Sequence, residues 1–179
     1  LPISQKTQAI IMAESFARER QQKISAKGQR VSLFIPCFID QLFPQTGFNM
    51  VKVLEKLGCI VTYNVRQTCC GQPAFNAGFR EEARSVCAKF INDFKDSEYI
   101  VAPSASCVGF VRNYYPELFD DSSNRNQVRQ LQQCTFEFSE FLTDKLGVTD
   151  VGASFSAKAT YHDSCAADRK STRLNSSHT

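Results

Sequence analysis

The sequence predicts an α/β fold, with a mostly parallel sheet flanked by helices. Three observations carry that expectation. Short apolar runs suited to buried strands alternate with segments of helical period, the connections between them are short, and 179 residues at 42% hydrophobic and 22% charged are enough for one domain with a real core. Taken in order, "VSLFIP" (31–36) is a first strand closed by Pro36 and Cys37. "TGFNMVKVLEKLG" (46–58) places Phe48, Val51, Leu54 and Leu57 on one helical face and stops at Gly58. "CIVTYNV" (59–65) is the second strand, and "REEARSVCAKFINDF" (80–94) is a second helix with Ala83, Val86, Phe90, Ile91 and Phe94 inward. "EYIVAP" (98–103) is the third strand, followed by a helix starting near Cys107 and a longer one over "RNQVRQLQQCTFEFSEFLTDKLG" (125–147). "AKATYH" (157–162) reads as a fourth strand running into Cys165.

Charge and hydropathy exclude several classes. A net charge of +3, with basic and acidic residues interspersed, lacks the one-sided basic stripe of a nucleic-acid binder. No apolar run approaches the roughly 20 residues that span a bilayer, and no signal-peptide core precedes residue 24, so a soluble, cytoplasmic protein is expected. Both ends read as foreign. Residues 168–179, "DRKSTRLNSSHT", match in one frame the codons of a common sequencing-library adapter over 168–178, and residues 1–11 read as translated upstream sequence before Met12. Residues 1–30 are then an N-terminal extension and 31–167 the domain proper.

Eight cysteines and only two histidines, His162 and His178, in a chain expected in a reducing compartment point to thiolate metal ligands or reactive thiols rather than disulfides. Cys37, the adjacent Cys69 and Cys70, Cys107 and Cys165 each follow an expected strand, where α/β sheets gather their ligands. Adjacent Cα atoms lie about 3.8 Å apart, short of the roughly 4.4–6.8 Å that a disulfide spans, so Cys69 and Cys70 would pair only under strain. A redox-active vicinal pair, core packing and a shared metal centre stay open. Four thiolates suit zinc or an iron–sulfur cluster. Structural zinc sites usually draw on close C-x₂₋₄-C pairs, whereas neighbouring cysteines point apart and could reach different irons of one cluster. Gly71 would let the backbone approach such a core and take a positive φ. Cys59, Cys87 and Cys134 read as core residues, His162 as a structural partner, and the Phe136, Phe138 and Phe141 cluster as core.

"FIPCFIDQLFPQTGFNMVKVLEKLGC", "QTCCGQPAFNAGF", "APSASCVGFVRNYYPELF", "FLTDKLGVTDVGASF" and "YHDSC" closely resemble the lactate utilization protein A (LutA, YkgE) family, from about Val31 to Cys165. The resemblance implies the N-terminal part of a two-repeat cysteine-rich (CCG) iron–sulfur protein. It implies an electron-transfer subunit of an L-lactate (2-hydroxy acid) oxidising, dehydrogenase-type complex with LutB- and LutC-like partners. On the family pattern Cys37, Cys69, Cys70, Gly71 and Cys107 match the first copy and would bind a [4Fe-4S] cluster, while Cys165 opens an incomplete second copy. The C-x-x-C of the pattern is broken, because Ser104 stands where its first cysteine belongs. The rival expectations are a zinc-stabilised binding module and a thiol–disulfide enzyme of the heterodisulfide-reductase kind. No G-x-G-x-x-G fingerprint for a nicotinamide or flavin is present.

Overall fold

Four parallel strands in the order β2-β1-β3-β4 form the sheet of the computed structural model, which describes residues 27–119 and 122–160. The elements are β1 (Arg30–Leu33), α1 (Cys37–Leu42), α2 (Pro44–Leu57), β2 (Ile60–Tyr63), α3 (Gln72–Asn76), α4 (Arg80–Phe94), β3 (Tyr99–Ala102), α5 (Ala105–Leu118), α6 (Ser122–Cys134), β4 (Thr135–Glu137), α7 (Phe138–Glu140) and a π-helical turn over Phe141–Lys145. Parallel pairing requires crossovers, and the helices that supply them cover both faces of the sheet. On one side Phe34 packs edge-on to Phe90, with ring centroids 4.9 Å apart, and Phe90 packs on the fully buried Tyr115. On the other, Met50 and Leu54 of α2 join Leu33, Val101, Phe141 and Leu146. Each such side chain contributes about 1.5–3 kcal/mol through burial.

Three of the expected strands and both of the first expected helices stand where the pattern put them. Two expectations are corrected. The inward face of α2 is Gly47, Met50 and Leu54, with Val51 and Leu57 half-buried, while Phe48 is 64% exposed. The helix begins two residues earlier, at Pro44, and Gly47 lets it settle on Ile35, whose Cδ1 would stand 3.4 Å from a Cβ at that position. The larger change is at the fourth strand. Residues 157–160 are not a strand, and β4 is instead Thr135–Glu137, inside the stretch expected to be one long helix. Thr135 and Phe136 favour extended backbone, and pairing with Ile100 and Val101 of β3 supplies the ladder that helical continuation would forgo. Among the described residues no cysteine follows β4, so three strand ends lead to cysteines there, not four. Cys165 and His162 lie outside the described residues. Cys59, Cys87 and Cys134 are buried as expected, and burial pushes their thiols up to about 11, 12 and 11 respectively.

Among the described residues, no strand pairs with the outer edge of β2. Ile60 is 53% and Tyr63 49% exposed, on opposite faces of that strand.

Candidate metal centre

The strand order decides where the cysteines meet. From β1 the chain crosses to one side for β2 and later to the other side for β3, so β1 and β3 flank the point where the connections diverge. A crevice opens at the carboxyl ends of strands so arranged. Cys37 leaves β1 as the first residue of α1, Cys107 is the third residue of α5 after β3, and the loop after β2 brings Cys69 and Cys70.

A side-chain amide ties that loop to β1. Gln67 accepts a hydrogen bond from the Ile35 N–H (2.8 Å) and donates one to the Leu33 carbonyl (3.1 Å), so its amide continues the ladder where β1 ends. Cys69 is thereby held beside Cys37, whose thiol donates to the Cys69 sulfur at 3.6 Å. The Gly71 N–H donates to the same sulfur at 3.4 Å. Beneath the loop the Cys70 carbonyl accepts from the buried Tyr115 hydroxyl (2.9 Å) and from the Cys87 thiol (3.4 Å). Gly71 itself has φ +93°, and a Cβ there would lie 2.7 Å from Cys87 Sγ and 3.3 Å from the Ala83 carbonyl oxygen. Glycine is therefore required twice, by conformation and by space.

The thiols are electrostatically one group. Hydrogen bonding from the Cys70 thiol, with help from the Gly71 N–H and Cys37, lowers Cys69 to about 5. Cys107 is lowered to about 7, first by Cys70 and then by the hydroxyls of Ser104 and Ser106, against the cost of burial. Cys70 is pushed up by giving its proton to these neighbours and by burial, and Cys37 is pushed up by desolvation and by its bond to Cys69. Cys70 has one proton to donate, so it serves Cys69 or Cys107 at a given moment. Cys69, with two further donors, is the thiol whose anionic form is most favoured.

The structure thus gathers Cys37, Cys69, Cys70, Gly71 and Cys107. Ser104, at the broken C-x-x-C position, stands at the N-cap position of α5 without a capping side-chain hydrogen bond and supports Cys107 by hydrogen bonding instead. Among the described residues, no group of three or more Cys, His, Asp or Glu side chains is set to hold a single metal ion. The donor set suits a thiolate-held centre nonetheless: four thiols above a glycine cradle without a Cβ. Sequence reasoning missed Gln67, Tyr115 and the role of Cys87 as a support. Nothing in their local pattern marks them, because each acts through a partner more than 15 residues away. Tyr115→Phe is expected to cost about 1 kcal/mol in urea unfolding, because the buried carbonyl keeps only the weaker thiol donor.

Residues 31–112 match the cysteine-rich domain family designated CCG, a stretch holding all four thiols and Gly71. The chain is 51% identical over 138 residues to lactate utilization protein A of Exiguobacterium sp., covering 75% of this chain and 56% of that protein. Against the proteins of the same name from Oceanobacillus iheyensis and Bacillus subtilis the identity is 44% and 43% over 137 residues, with 76% of this chain covered in each case. Over the aligned residues the chain is a homologue of lactate utilization protein A. It spans little more than half the length of the family members it matches. No solved structure matches it significantly. No helix among the described residues is long and apolar enough to cross a membrane.

Proposed function

We propose that this chain is the iron–sulfur part of an electron-transfer subunit in an L-lactate oxidising system, working with LutB- and LutC-like partners. The observation that carries the reading is the convergence of thiols from three separate strand ends on one crevice, with Cys37 and Cys69 in contact across 32 positions of sequence. The family name supports the lactate assignment.

Cys37, Cys69, Cys70 and Cys107 would hold a cluster of the [4Fe-4S] type, which supplies one-electron storage that no protein side chain here offers. The chain's own contribution is to keep thiolates available and aimed. The Gly71 N–H stabilises negative charge on Cys69, the amide of Gln67 fixes the loop relative to Cys37, and the Tyr115 hydroxyl keeps the Cys70 peptide from turning. Cys107 lies in the first turn of α5, where unpaired N–H groups favour an anionic sulfur.

Anaerobic reconstitution with ferrous iron and sulfide, followed by iron and acid-labile sulfide analysis, tests this. Matched uptake of iron and sulfide is expected, falling at least twofold in Cys37→Ser and in Cys107→Ser. A protein that takes up one zinc ion and no iron, or whose uptake ignores both substitutions, overturns the assignment.

A further inference from the structure

Cys37 and Cys69 also form a pair in their own right. Their sulfurs stand 3.6 Å apart, at van der Waals contact, with one thiol donating to the other. They come from loops after different strands, so no vicinal peptide constrains them as it does Cys69 and Cys70. Cys37 is exposed and Cys69 half-buried, whereas Cys70 and Cys107 are buried behind them. Cys69 accepts hydrogen bonds from both Cys37 and the Gly71 N–H, and Cys37, in contact with it from a separate loop, is placed to resolve an adduct formed on it.

We propose that the metal-free chain carries an oxidant-sensitive dithiol, Cys37 and Cys69, which closes to a disulfide under hydroperoxide. In the first step the Cys69 sulfur attacks a peroxide oxygen, the O–O bond breaks, and a sulfenic acid and one water form. The Cys37 sulfur then attacks the Cys69 sulfur, the S–O bond breaks, and a second water leaves. Two thiols are oxidised by two electrons and one hydrogen peroxide is reduced to two waters. The disulfide stands on thiol geometry alone. Its consequence, that the chain must be reduced before a centre can assemble, rests on the ligand reading above.

The test treats the full, metal-free chain with hydrogen peroxide under denaturant-free conditions and maps it unreduced by mass spectrometry, with fragmentation between residues 69 and 70. A single early product linking Cys37 to Cys69 is expected, with the loss of two free thiols per chain and full recovery in dithiothreitol. In Cys37→Ser, Cys69 should instead accumulate as a sulfenic acid trapped by dimedone. A first product linking Cys69 to Cys70, or Cys70 to Cys107, overturns the proposal, as does sulfinic acid formation with no linkage. Iron uptake is measured separately on the oxidised and re-reduced chain. A mapped disulfide with unaltered iron uptake sinks the ligand reading and leaves the dithiol standing.

Discussion

Gly71→Ala is expected to destabilise the domain by about 2–5 kcal/mol, more than an added methyl at any other described glycine of positive φ. At φ +93° an L-residue costs about 1–2 kcal/mol through its Cβ alone. The new methyl would also enter the space of Cys87 Sγ at 2.7 Å and meet the Ala83 carbonyl at 3.3 Å, neither of which lies on a flexible chain end. Overpacking of this sort costs a further 1–3 kcal/mol or so. Guanidinium unfolding should show a markedly lower midpoint. Adding Cys87→Ala should restore only part of the loss, because the sulfur is removed but the backbone conformation is not. A midpoint equal to that of the parent chain would mean that the loop takes another path. The same substitution moves the Gly71 N–H that supports Cys69, so iron uptake should fall with it.

The second large effect is expected far from the cysteines, at Glu140→Ala. Arg112 of α5 reaches across to β4 and α7: its guanidinium donates to Glu140 Oε1 at 2.9 Å and to the Thr135 carbonyl at 2.8 Å, and stacks over the Phe136 ring at 5.1 Å. Both side chains of the ion pair are only 11% exposed. Glu140 also accepts from the Glu137 N–H at 3.2 Å, closing a reciprocal cap on α7. Removing the carboxylate leaves a nearly buried cation unpaired and opens the cap, which together should cost about 3 kcal/mol. Glu140→Gln keeps an acceptor at the cap and loses the charge, so it should fall between. The check is urea unfolding of both variants at low and high salt. A pair this enclosed should lose little of its effect to screening, and a difference that disappears in molar salt would show it to be a surface contact.

These two sites differ in how far the sequence announced them. Cys-Cys-Gly sits in a stretch without helix or strand character, and the need for a residue lacking Cβ could be read from the residue itself. The Arg112–Glu140 bridge could not, because the charges are 28 positions apart and meet only once β4 has formed. That strand was hidden for a related reason. "QVRQLQQC" is convincingly helical, and the three residues that leave the helix do so for hydrogen bonds offered by β3, a partner no local pattern reveals. Strands β1, β2 and β3 were legible because each is a short apolar run with a turn residue behind it. Their spatial order was not, and it is the order that brings Cys37 and Cys107 to the ends of neighbouring strands. Periodicity found α2 and placed Val51, Leu54 and Leu57 on its inner side, but misplaced Phe48, which fits the repeat as well as Met50 does; only the seat of Gly47 on Ile35 decides between them.

The open edge at β2 bears on how this protein behaves in a test tube. Its outer backbone groups have no strand beside them among the described residues, and apolar side chains flank them on both faces. Among the described residues, no strand would have to be displaced for a second molecule to add one there. Handling at high concentration would then fail by sheet extension from one molecule to the next well before the core melts, and a lysine in place of Ile60 would be the economical remedy.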